Sequence, residues 1–505
     1  MSTVKPTFKP PTVSVETGPL KKKAAARFDV LIVVVPERCP ARVWRTLPDG
    51  LKLKSLMSRR APDSVPQAHY TLQNSKQTAV LLARLDGAAA TFTQAETLRK
   101  LAQAALAERP GAVAVQAAGF DDDVAADLGA LAAEALLIGA FDLPRFSDTA
   151  PRGKRLSRVV IVAAGPVDVE PIQVRARANN LARWLGALPP NVLDAGAYIG
   201  FATELAESLG AAATVYDESA LSDLGAGAFL AVAQGNGARE AGIVHLAYRA
   251  DDSAAAANVA LVGKGIVFDT GGNNLKPFKG MLDMHIDMQG SAVALAVFEA
   301  LVTMAAPLNV DCWLAITENR IGPDAYKSQD LVRALNGKTV QTIHTDAEGR
   351  MALADTLTMA AGEQPSLIVD FATLTGACVT AITTRYAGVF TNRASLHPAL
   401  KRAGRLSGER VWPFPVTAEF TADLKSENAD LVQCTADGAG DHILAACFLN
   451  EFVPDDIPWV HVDLSPAMRK DGLGLVSTEV TGFGTRLALE CLLGTDANLL
   501  SDLDD

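Results

Sequence analysis

Three separated segments of this chain carry a lysine and four acids that could hold cations: Lys264, Asp269, Asp287, Asp346 and Glu348. The stretch 262–277, VGKGIVFDTGGNNLKP, is an apolar run that ends in a carboxylate, a glycine pair and then a lysine. Strand ends at the edge of an α/β sheet are where ligands bind, and Asp269 stands at such an end. Lys264 lies five residues earlier inside the run, where burial of an ammonium is costly unless it is paired or deprotonated. A neutral amine can ligate a metal; a plainer reading is a strand lysine snorkelling to a turn aspartate. In MLDMHIDMQG, Asp283 and Asp287 precede a helix expected to start near Gly290, where either could act as a cap or dipole partner. Asp287 reads as the better ligand, Asp283 as a cap or solvated charge. In 344–355, HTDAEGRMALAD, residues two apart in an extended segment point to one side, which would turn Asp346 and Glu348 to a common point. Acids so placed repel each other without a cation. The set suits two divalent ions about 3.5–4 Å apart that share a water.

Other chemistries find less support. VGKG mimics a phosphate-binding loop, but Asn258 stands where its first glycine is required and Gly265 where Ser or Thr is required. No Gly-x-Ser-x-Gly elbow is present. The seven histidines form no close pair, so His285, His344 and His461 read as supporting or structural residues, and ligation would be led by carboxylates. Six cysteines, Cys39, Cys312, Cys378, Cys434, Cys447 and Cys491, have no paired short spacing and read as reduced core residues of a cytosolic protein.

The elements that must position these residues follow from pattern. A chain of 505 residues, 49% hydrophobic and 20% charged, implies two or three globular domains. The net charge of -11 argues against nucleic-acid or anionic-membrane partners. Residues 1–27 hold Pro-Pro and a basic run but no apolar core, so they read as a flexible N-terminal segment rather than an export signal. No uninterrupted apolar run reaches the ~20 residues of a membrane span. Strand patterns at 29–36, 79–84 and 113–116, with helices near 95–107 and 124–138, predict an N-terminal α/β domain over 28–170. A polar connector at 147–157 leads to a last strand at 158–163. An amphipathic helix at 174–188, stopped by Pro189 and Pro190, makes 171–190 the link, and 191–505 is expected to be the larger, catalytic domain. There a helix near 198–209, strands at 243–248, 259–268, 311–316 and 367–371, and a helix at 290–304 predict a mixed sheet covered by helices, with 259–268 central. Residues 254–257 read as a short low-complexity loop.

VGKGIVFDTGG, NNLKP, MHIDMQG, HTDAEGR and ATLTGA (372–377), in this order and spacing, resemble the signature blocks of the M17 leucyl aminopeptidases. The likeness spans about 172–490 and includes PPN at 189–191, GAGDHILAACFLNEF and WVHVDLSPAM at 459–468. The N-terminal third is similar only in α/β outline. The resemblance implies a fold of the leucyl aminopeptidase type and a metallo-exopeptidase that releases N-terminal, leucine-like residues by attack of a metal-bridging hydroxide. One metal would be held by Lys264, Asp269, Asp287 and Glu348, the other by Asp269, Asp346 and Glu348, with the Asp346 carbonyl helping. Lys276 would polarise the scissile carbonyl, and Arg350 would anchor a bicarbonate acting as general base. The side-chain pocket would be formed by Met284, Thr373, Gly376, Ser465 and Met468. The implied cofactors are zinc or manganese, with cobalt or magnesium also accommodated. Implied too are peptide substrates with a free N-terminus, a homohexamer and a cytoplasmic location. Ser465 stands where a small apolar residue is usual and His344 where Asn is usual, departures that bear on substrate preference.

Two further classes remain open at this level. A fold of this kind could serve as a DNA-binding or scaffold protein, against which the acidic balance and the intact Lys276 and Arg350 weigh. A two-metal hydrolase of another bond, such as a phosphoester, shares the same core.

Overall fold

The computed structural model describes residues 9–61, 64–147, 155–238, 240–252 and 256–503. They form two units, 9–180 with 470–479, and 181–469 with 480–503. Most of the connector 147–157 and part of the loop 254–257 lie outside the described residues.

The first unit holds β1 (Thr12–Thr17), β2 (Val30–Pro36), β3 (Ala68–Thr71), β4 (Ala79–Leu85), β5 (Ala112–Ala117) and β6 (Arg158–Ala163). They form one sheet in the order β1-β6-β5-β2-β4-β3, parallel except for β3. Along β2 the side chains divide with period two. Val30, Ile32 and Val34 join one core with the helices Thr91–Ala107 and Asp122–Gly139, while Leu31, Val33 and Val35 join another with Trp44 and Leu53. A strand buried on both faces must be apolar throughout, which is why VLIVVV carries no alternation.

The stretch expected to be a flexible start is instead structured from Thr12 onward. In TVSVET, Val13 and Val15 pack on the core and β1 pairs with β6, a short alternation inside a polar context. The helix Lys22–Ala25 follows. The C-terminal run also departs from the single block expected over 191–505, because 470–479 belongs to the first unit. Leu475 and Val476 enter its core, and Arg99 Nη1 donates to the carbonyls of Asp471 and Val476. The helix expected at 174–188 is Glu170–Gly186 and runs across the division at 180.

The second unit holds β7 (Ala212–Asp217), β8 (Gly242–Tyr248), β9 (Ala257–Asp269), β10 (Leu308–Asn319), β11 (Leu331–Arg333), β12 (Thr339–Gln341), β13 (Leu367–Ala372), β14 (Ala387–Thr391), β15 (Val411–Pro413), β16 (Leu431–Val432) and β17 (Trp459–Asp463). Eight of them make a mixed sheet ordered β15-β14-β17-β13-β9-β10-β8-β7, and β11, β12 and β16 a small second one. The four strands β17, β13, β9 and β10 run parallel, so their carboxyl ends share one edge. The segment Phe278–Thr303 is apolar enough to span a membrane, but it breaks into three helical pieces and is mostly buried, as a core helix is. All six cysteines are free, and five are buried.

Candidate functional site

The site lies at the shared carboxyl edge. Lys264 and Asp269 are five residues apart in β9, and in a regular strand they would face opposite sides. A bulge prevents this: Ile266 pairs with Thr317 and Asp269 with Asn319, so β9 carries one extra residue between them. Lys264 and Asp269 thereby face the same side as Ala315 and Asn319, four apart on β10. Asp269 is buried, and its Oδ1 accepts from Gly271 N and from Asn319 Nδ2, both at 2.8 Å. Asn319 Nδ2 also reaches the Thr345 carbonyl at 3.0 Å and Glu348 at 3.3 Å, tying three segments together.

Asp287 follows the turn Met284–Ile286 and is buried. No side chain caps the helix Gln289–Thr303, and Asp287 instead accepts from Thr373 Oγ1 at 2.7 Å and from Lys264 Nζ at 2.9 Å. Asp283 is exposed, a solvated charge. Asp346 and Glu348 do converge, but not by strand alternation: Asp346 sits in a turn and Glu348 opens the helix Glu348–Gly362. The amide hydrogens and dipole of that terminus favour the Glu348 carboxylate. Oxygens of Asp269, Asp346 and Glu348 all lie within 4.8 Å of one another, a group able to hold a metal ion.

Two ammonium groups stand among these acids. Lys264 Nζ is 2.8 Å from Asp287, 2.9 Å from Glu348 and 3.1 Å from the Thr373 carbonyl; Lys276 Nζ is 2.8 Å from Asp269 and pairs with Asp346. Burial pulls both lysines down, but the neighbouring carboxylates outweigh it and hold both above the ordinary lysine range. The acids remain in excess, four carboxylates against two ammonium groups. Burial, then the charges of Asp269 and Glu348, push Asp346 up to about 7, and burial raises Asp287 well above the carboxylate range. A cluster that already surrounds two positive charges and still lacks charge compensation fits divalent cations.

The ligand, catalytic and pocket candidates named in the sequence line one cavity of about 840 Å³, the five ligand candidates, Lys276 and Arg350, and Met284, Thr373, Gly376, Ser465 and Met468, while Asp283, His285 and His461 are not among its lining. Three histidines stand apart from the acids' oxygen group. His344 Nδ1 faces Asp346 N at 3.3 Å, burial lowers His285, and His461 pairs with Asp370 at 2.6 Å in the core. Residues missed in the sequence are Asn319, Gln433 and Asp441. Gln433 accepts from Ile343 N and His344 N, fixing the loop before Asp346. Asp441 receives Arg350 Nη2 on both oxygens at 2.8 Å. Asn319 had one available signal, a polar end to an apolar strand; Asp441 had none beyond its charge.

The fold and this acid site define the class of the metallo-aminopeptidases, which are hydrolases. A family model described as the cytosol aminopeptidase family, catalytic domain, matches residues 180–489. The probable cytosol aminopeptidase of Aquifex aeolicus is 34% identical over 75% of this chain and 76% of its own length. That of Parasynechococcus marenigrum is 38% identical over 71% and 74%. Among solved structures, a tomato leucine aminopeptidase mutant superposes with a TM-score of 0.83 at 25% identity, covering 96% of this chain and 97% of its own. The bottromycin maturation enzyme BotP in complex with Mn gives 0.78 at 30% identity, covering 92% and 98%. The chain belongs to the cytosol aminopeptidase family.

Proposed function

We propose that the chain is a two-metal aminopeptidase that releases aliphatic, leucine-like residues from peptides with a free N-terminus. The observation that carries this reading is the convergence of Asp269, Asp346 and Glu348 within 4.8 Å, in a cavity that Asp287 and two lysines also line. Asp269, Asp287 and Glu348 would hold one metal, joined by Lys264 once the bound cation displaces its proton, and Asp269, Asp346 and Glu348 the other. Oxygen-rich donors with one amine accept zinc or manganese, and also cobalt or magnesium. When bound, the metals supply Lewis acidity and lower the pKa of the attacking water.

The chain's own groups do the rest. Lys276 is partly open to the cavity and can turn its ammonium toward the carbonyl oxygen as negative charge develops there. The acid cluster attracts a free α-amine, which favours cleavage at the N-terminus. Met284, Thr373 and Met468 offer methyl and thioether surface to an aliphatic side chain, with Gly376 and Ser465 leaving room beside them. The bicarbonate implied at Arg350 would have to displace Asp441, whose two oxygens both engage Arg350 Nη2. A homohexamer in the cytoplasm belongs to the same reading and rests on the family resemblance; sedimentation of the purified protein checks the hexamer.

The experiment is release of leucine from leucinamide and from a leucyl peptide, by protein stripped with chelator and then restored with manganese or zinc. Activity should vanish, return with metal, and disappear when the peptide is N-acetylated. Failure of every metal to restore turnover of any free N-terminal residue would refute the reading.

A further inference from the structure

We infer that Asp441 is this site's built-in anion: its carboxylate occupies Arg350, acts as the cavity's proton acceptor, and makes catalysis independent of bicarbonate. The inference rests on the aminopeptidase reading above and departs from it at one point, the identity of the base. Arg350 lies in the first turn of the helix Glu348–Gly362, two residues after Glu348, and is buried. Its Nη1 donates to the Gln433 carbonyl at 3.0 Å and its Nη2 to both Asp441 oxygens at 2.8 Å. Both terminal nitrogens of the guanidinium are thus held by the chain, while its buried Nε has no partner among the described residues, and its charge is matched by Asp441.

Asp441 is placed for this by its own helix. It is the first residue of Asp441–Asn450, and the capping position before it is Gly440 in the left-handed region, φ 64°, which has no side chain to offer. A carboxylate in the first turn is favoured by the helix dipole. The Asp441 carboxylate crosses to Arg350, 91 residues earlier in the chain. It keeps 24% of its side chain accessible and lines the same cavity as Asp346 and Glu348. A charged pair with one member buried and the other facing the cavity presents an anion held at a fixed place, and to act as general base it would have to come within hydrogen-bond reach of the attacking water.

In the inferred role the proton is carried by Asp441. The attacking water loses one O–H bond as its oxygen bonds to the carbonyl carbon, and Asp441 takes that proton. When the C–N bond breaks, Asp441 returns the proton to the departing amine nitrogen, so the carboxylate is regenerated and no external base is consumed. Arg350 orients Asp441 throughout and does not itself transfer a proton, since a guanidinium remains protonated in proteins.

The test uses zinc-restored full-length protein in buffer freed of carbon dioxide, with and without added ¹³C-bicarbonate. Wild type should turn over equally in both and leave the ¹³C signal unbroadened. Asp441→Ala should lose about 10²-fold in kcat with KM little changed and zinc content intact. Added bicarbonate should restore a measurable part of that loss and show a broadened ¹³C signal, because it now reaches the freed guanidinium; a merely structural role for Asp441 would give no such rescue. Should the alanine variant aggregate, Asp441→Gly, which also vacates the guanidinium, is read the same way. Bicarbonate stimulation or binding in wild type, or full activity of the Asp441 variant without bicarbonate, overturns the inference. If no variant and no metal gives turnover, the aminopeptidase reading fails, while the ¹³C binding comparison still decides whether Asp441 excludes the anion.

Discussion

Lys264 and Lys276 carry equal charge but are fixed differently. Lys264 is enclosed by Asp287 and Glu348 with 3% of its side chain exposed, whereas Lys276 bridges Asp269 and Asp346 with 16% exposed. The first is part of the cation site's wall; the second can reach a substrate. Lys276→Ala should therefore lower kcat by about 10²–10³-fold, the size of one lost oxyanion donor, and leave metal content unchanged. Asp269→Ala removes an acid that Asn319, Gly271 and Lys276 all orient, and should lose metal and activity together. Metal analysis beside steady-state rates separates the two, and an Asp269 variant with full metal and rate would contradict the proposed site. The charged residues were legible in the sequence because acids and lysines inside apolar strands are costly and invite explanation. Asn319 carries no such cost, and the pairing of Asp441 with Arg350 joins positions whose distance along the chain conceals it.

At the scale of elements, the sequence conveyed which strands and helices exist better than how they end. The strand expected at 259–268 is β9, central as its unbroken apolar run implies. Its bulge was not legible, because an extra residue in an apolar run leaves no trace in composition; only the partner strand reveals it. The convergence of Asp346 and Glu348 was expected for the wrong geometric reason, alternation in place of a turn into a helix. The glycine pair after Asp269 has a requirement that can be tested. Gly271 has φ 86°, and a Cβ there would lie 2.5 Å from the Asn274 carbonyl and 2.9 Å from Asp346 Oδ1. Gly271→Ala should cost about 1–2 kcal/mol from backbone strain, lower Tm by about 1–2 °C for each kcal/mol in a chain of this size, and depress activity by displacing Asp346. Gly280→Ala, whose Cβ would meet nothing nearer than 3.6 Å, is the control expected to match wild type in both calorimetry and rate.

At the scale of the whole chain, composition and alternation conveyed a mixed α/β architecture, while the assignment of 470–479 to the first unit depends on tertiary contacts of Leu475 and Val476. What holds the catalytic sheet includes a buried polar pair that its apolar strands do not announce. In the register of β13 with β17, Asp370 faces His461; its Oδ1 meets His461 Nδ1 at 2.6 Å and its Oδ2 accepts from Trp459 Nε1 at 2.6 Å, all three residues being fully buried. Burial pulls His461 down, but the Asp370 carboxylate outweighs it and raises the imidazole above its ordinary 6.5. The folded state therefore binds a proton that the unfolded state releases near pH 6.5. Stability from this pair is complete below 6.5 and declines as pH rises from 6.5 through the raised folded value, by at most about 1.4 kcal/mol per pH unit. Chelator-treated wild type should accordingly lose Tm on going from pH 6 to pH 9 faster than His461→Gln, in which that proton is absent and every other titrating group is retained. Parallel Tm profiles for the two proteins across that range would mean that the buried imidazole is neutral throughout, and that Asp370 alone carries the charge at the centre of the sheet.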